Sequence, residues 1–91
     1  MAAVTIGTMQ ESNIVGMATN ATTKYEEAKT NLAKVVDLNP EHDYAQYYLA
    51  RSYEQLNDVS NAKVHYQKVV ELLPATTQRA QTAQSYLNAH P

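Results

Sequence analysis

The sequence predicts an all-α chain built from a repeated helix–turn–helix unit, and three observations carry that expectation. A thirteen-residue stretch recurs 34 residues further along. Its apolar residues fall at spacings of three and four, which is the period of a helix. Each copy runs into a proline, which lacks the N–H that would extend a helix.

The two copies are Ala28–Pro40 (AKTNLAKVVDLNP) and Ala62–Pro74 (AKVHYQKVVELLP). Seven of the thirteen positions are identical: Ala28/Ala62, Lys29/Lys63, Lys34/Lys68, Val35/Val69, Val36/Val70, Leu38/Leu72 and Pro40/Pro74. Asp37/Glu71 keeps its charge. In the second copy Ala62, Tyr66, Val69, Val70 and Leu73 form one apolar stripe. Ala28, Leu32, Val35, Val36 and Leu38 form nearly the same stripe in the first.

A further helix precedes each copy. Residues 41–56 place Ala45, Tyr48, Leu49, Ser52, Tyr53 and Leu56 on one broad face, and Asn39-Pro40 reads as its cap with proline in the first turn. Residues 10–21 are a weaker candidate, with Ile14, Val15, Met17 and Ala18 as a partial apolar face. A fifth helix, 77–89, follows Pro74, capped by Thr76 or Thr77 and carrying Ala80, Ala83, Tyr86 and Leu87. Thr23 and Glu26 have the spacing of a capping box for the helix at 24–38. Asn57-Asp58 reads as the turn and cap before the helix at 59–73.

Composition narrows the function. Hydrophobic residues are 44% and charged residues 18% of the 91, a globular balance rather than that of a disordered tail. The net charge of −2 comes from interspersed Lys, Arg, Asp and Glu, with no basic stripe for nucleic acid. With 0 cysteines, disulfides, thiolate metal sites and cysteine nucleophiles are excluded. Two glycines cannot build a Gly-rich phosphate loop. No apolar run approaches the roughly 18–20 residues of a membrane helix, so direct membrane insertion is not expected. Met1–Gln10 lacks the basic start and apolar core of a secretory signal. The expectation is a soluble domain, either cytoplasmic or a soluble part of a membrane-anchored or envelope parent protein.

A 34-residue helix–turn–helix period with this residue pattern resembles the tetratricopeptide repeat, whose motif runs W-x2-L-G-x2-Y, then A-x3-F, then P. In the second unit Gln46 takes the Trp place, followed by Leu49-Ala50, Tyr53, Ala62, Tyr66 and Pro74. In the first, Ser12, Val15-Gly16, Thr19, Ala28, Leu32 and Pro40 fill the same places. The whole resembles bacterial members of the family. It implies a right-handed α-α superhelix of about two units plus a closing helix. The divisions expected are a lead-in at 1–8, units at 9–42 and 43–76, and a closing helix at 77–91.

The resemblance also implies what the chain does. It points to a non-catalytic module that binds a protein or peptide segment in a concave groove lined by the first helix of each unit. The alternative is a structural unit that stacks on itself as a homo-oligomer or on a parent chain. The groove places are Asn13, Met17 and Asn20 in the first unit, beside Gln10. In the second they are Tyr44, Tyr47, Arg51, Glu54 and Gln55. Gln78, Gln81 and Ser85 extend them on the closing helix. The family's Lys/Arg/Asn grip on a terminal carboxylate lacks its lysines here. No cofactor or metal is expected. His42, His65 and His90 have no metal-ligand spacing, Glu41-His42-Asp43 reads as a solvated turn, and His65 reads as outward-facing among Lys63, Gln67 and Lys68.

Overall fold

A computed structural model of the chain describes residues 22–91. Among the described residues there are four helices: α1 at 22–38, α2 at Asp43–Gln55, α3 at Val59–Leu72 and α4 at Gln78–Ala89. No strand occurs among the described residues. The lead-in at 1–8 and the helix expected at 10–21 lie outside them.

Each helix end has a local cause. α1 leaves the helix before Asn39-Pro40 and α3 before Pro74, because proline disfavours helical geometry in the residue before it. Leu73 is accordingly extended, with φ −114° and ψ 146°. α2 stops at Asn57, which takes the left-handed φ of 61° that Asn tolerates better than most residues. There the Asn57 N–H donates to the Glu54 carbonyl at 3.0 Å and the Asp58 N–H to the Tyr53 carbonyl at 2.9 Å. These two bonds are a Schellman closure, which satisfies carbonyls the helix would otherwise leave open. The Asp58 carboxylate then caps α3 by accepting from the Asn61 N–H at 3.2 Å. The Asn61 side-chain amide, together with that backbone bond, holds its carboxyl below the ordinary Asp range. Thr77 caps α4, its hydroxyl accepting from the Ala80 N–H at 3.4 Å.

Two caps differ from expectation. Pro40 lies in the turn before α2, not in its first turn. The cap is His42, whose ring Nδ1 accepts from the Ala45 N–H at 3.2 Å. Thr23 does not cap α1, since residues 22–38 are already helical at that point. Glu26 instead pairs with Lys29 at 2.7 Å, and its backbone carbonyl accepts from the Thr30 hydroxyl.

The core follows the repeat pattern. α3 packs between α2 and α4. Ala50 and Ala62 are both fully buried, so the small residues lie at the α2–α3 contact, where they let the two helices approach closely. Leu49, Tyr66 and Val69 are the largest fully buried side chains and fill the remaining volume. Ala83 of α4 closes the same cluster. In α1 the stripe is looser: Ala28, Leu32 and Val36 are half-buried, whereas Leu38 is 89% exposed.

Candidate interaction face on the second helix

Tyrosines dominate α2, and the helical period splits them. Tyr44 and Tyr48 are one turn apart and pack ring to ring, centroids 4.3 Å apart. Tyr47 points inward. It is 7% exposed and lies edge-on to Tyr48 at 5.0 Å and to Tyr66 of α3 at 6.0 Å. Tyr66 continues the file to Tyr86 of α4 at 4.8 Å, and Tyr86 stacks on His90 at 4.2 Å. Perpendicular and tilted contacts of this kind suit the aromatic quadrupole.

Of the expected groove residues, Tyr44 is 52% exposed and Arg51 and Gln55 are also exposed. Tyr47 is a core residue. It shapes the face from beneath and leaves little of its ring for a ligand. Glu54 is half-buried and already engaged, accepting from the Tyr66 hydroxyl at 2.5 Å. Burial, with the Glu54 carboxylate beside it, pushes that hydroxyl far above the ordinary phenol range, so Tyr66 stays a donor. Asn13, Met17 and Asn20 lie outside the described residues. Gln78, Gln81 and Ser85 are exposed on α4.

Arg51 sits with its guanidinium 6.0 Å from the Tyr47 ring centroid. It has no ion pair among the described residues. With Glu54 taken by Tyr66, Arg51 lies over the Tyr47 ring without a carboxylate partner among the described residues. Beside it, Tyr25, Ala28 and Leu32 of α1 and Tyr48, Arg51, Ser52 and Gln55 of α2 line a groove of about 210 Å³. The Ser52 hydroxyl donates to the Tyr48 carbonyl of its own helix. The groove is therefore apolar along its floor and polar at the Arg51–Gln55 rim.

Periodicity did not single out Arg79. It reaches from α4 back to α2, pairing with Asp43 at 3.2 Å and lying 5.8 Å from the Tyr44 centroid. The contact joins helices more than 30 residues apart in sequence, so local spacing carried no signal for it. His65 also departs from its expected outward position. It is half-buried, stacked on Tyr53 at 5.5 Å with the rings 6° from parallel. Its Nδ1 lies 2.7 Å from Gln46 Oε1. Gln46, at the place of the family's Trp, is 3% exposed and donates its amide to the Pro40 carbonyl at 2.8 Å. A buried polar pair thus stands at the motif position where the family pattern has Trp.

Among the described residues no three His, Cys, Asp or Glu gather as a metal site, and no helix is long and apolar enough to cross a membrane. No curated protein and no solved structure was found to match the chain. The family profile described as tetratricopeptide repeat matches residues 21–87, a span that takes in α1 to α3 and most of α4. Repeats of this family are in general non-catalytic interaction modules. With its 34-residue period, its small-residue helix contacts and that match over most of its length, the chain belongs to the tetratricopeptide repeat family.

Proposed function

We propose that the exposed face of α2, extended by α4, binds a peptide or protein segment, and that the chain catalyses nothing. The observation that supports this most is the state of Arg51, unpaired among the described residues and held over Tyr47 at the rim of an apolar groove. Exposed Tyr44 and Gln55 flank it. Arg and Tyr are the side chains that most often dominate binding energy, because one offers a fixed fork of donors and the other a large area at little entropic cost. On this reading 43–76 forms one complete unit, 9–42 the unit before it and 77–91 a closing helix within a larger protein.

The test uses a peptide selected from a random library against the immobilised chain. Arg51→Ala and Tyr44→Ala should each weaken its binding by about tenfold or more, the scale of a residue that dominates an interface. Their circular dichroism should match that of the parent. Lys63→Ala and Val64→Ala, on α3, should bind as the parent does. The opposite pattern would place the working surface on α3 and favour stacking or self-association.

A further inference from the structure

The groove between α1 and α2 has a filled counterpart in the second unit. Advancing its α1 lining by the 34-residue period turns Tyr25, Ala28 and Leu32 into Val59, Ala62 and Tyr66 of α3. Advancing Tyr48 and Ser52 of its α2 lining gives Thr82 and Tyr86 of α4. There the occupant is α2 itself. Ala50 meets Ala62, Tyr47 lies edge-on to Tyr66 at 6.0 Å, and Arg79 of α4 pairs with Asp43 at 3.2 Å. Further along the same stripe Val69 is fully buried on α3, whereas Val35, its counterpart on α1, is 38% exposed. The lining of the groove is therefore one on which this fold already seats a helix. We propose that the groove is the docking site for an amphipathic helix of a partner protein, lying on α1 as α2 lies on α3. The proposal rests on the segment-binding role of the α2 face given above, and names the kind of segment.

The template fixes the partner's chemistry. Ala50 lets α2 approach α3 closely, so the docked helix needs a small residue over Ala28, the counterpart of Ala62. Three residues earlier, at the place of Tyr47, a bulky apolar or aromatic side chain meets Leu32. A helix seated in a groove is held by such anchors on successive turns. Arg51 is the one charged side chain among the described residues of the lining, so a carboxylate belongs at that edge and a cation does not. Two occupants from the chain itself fit worse. In the second unit the Asn57 closure turns α2 back along α3. The matching residues 22–24 are helical, so that turn does not return the preceding segment into the groove. In a second copy α2 has the right pattern, but its Tyr47 and Ala50 are already buried in its own core.

The probe is a synthetic peptide with the sequence of residues 43–55, held helical by a staple on its outer face and titrated into the isotope-labelled full chain. Binding should saturate, with shifts at Tyr25, Ala28 and Leu32 of α1 and at Gln55 of α2. The same peptide carrying Ala50→Leu, too bulky for the crossing, should bind about tenfold more weakly. Ala28→Leu in the protein should weaken binding likewise, with circular dichroism unchanged. If that variant does not fold, the peptide variant decides. No saturable binding, equal binding of the Ala50→Leu peptide, or shifts confined to α3 would overturn the proposal. Arg51→Ala measured with the library-selected peptide tests the segment-binding role by itself. Weakened binding there, with no helix seated here, would refute the docked helix and leave that role standing.

Discussion

Gln46 shows how much one residue can say and where its message ends. Its position in the repeat was legible from the 34-residue register, and so was its departure from the family's Trp. What Gln46 pairs with was not legible, because the partner is His65, nineteen residues away on another helix. The neighbours Lys63, Gln67 and Lys68 made His65 read as solvent-facing, yet its ring lies flat on Tyr53. Leu49, Ala62, Tyr66 and Val69 gave a clearer signal, since periodicity and repeat position agree at each, and all four are buried. Leu49→Ala should therefore cost about 2–5 kcal/mol in urea unfolding, through lost transfer energy plus a cavity. Ala62→Leu should cost about 1–3 kcal/mol by forcing α2 and α3 apart. Parent-like unfolding of both variants would contradict the helix contact described.

At the scale of the element, the helices were legible to within a few residues and the caps only in part. Asn57-Asp58 were read correctly as turn and cap, since each does what its side chain makes easy: Asn takes the left-handed turn and Asp accepts from Asn61. The cap of α2 was assigned to the wrong residue. Asn39-Pro40 has the familiar pattern, but the turn they start runs on to His42, whose ring does the capping. Nothing local ranks a His above Asn in that role. α1 begins by residue 22, where the second unit has its turn, so Thr23 stands inside a helix. The Asn57 geometry makes its own prediction. Asn57→Gly should preserve or raise the melting temperature, because Gly populates positive φ freely. Asn57→Val should lower stability by about 1–2 kcal/mol, because a β-branched side chain crowds the left-handed backbone that Asn tolerates. Equal melting of the two would mean that α2 does not end in this closure.

At the scale of the molecule, the self-match made the stacking order legible, and α3 does pack between α2 and α4. The face for a partner was read less well. Helical projection assigns side chains to directions around one axis, and it cannot see that Tyr47 meets Tyr66 or that Glu54 is claimed by the Tyr66 hydroxyl. Once these are subtracted, Tyr44, Arg51 and Gln55 remain on the α2 face, beside the Arg79 bridge from α4. That face is the central claim. The most direct test is chemical-shift mapping of the isotope-labelled chain titrated with the library-selected peptide. Shifts should concentrate on Tyr44, Arg51 and Gln55 of α2 and continue to Gln78 and Ser85 of α4. Shifts concentrated on Val64, Gln67 and Glu71 of α3, with α2 unmoved, would contradict the account.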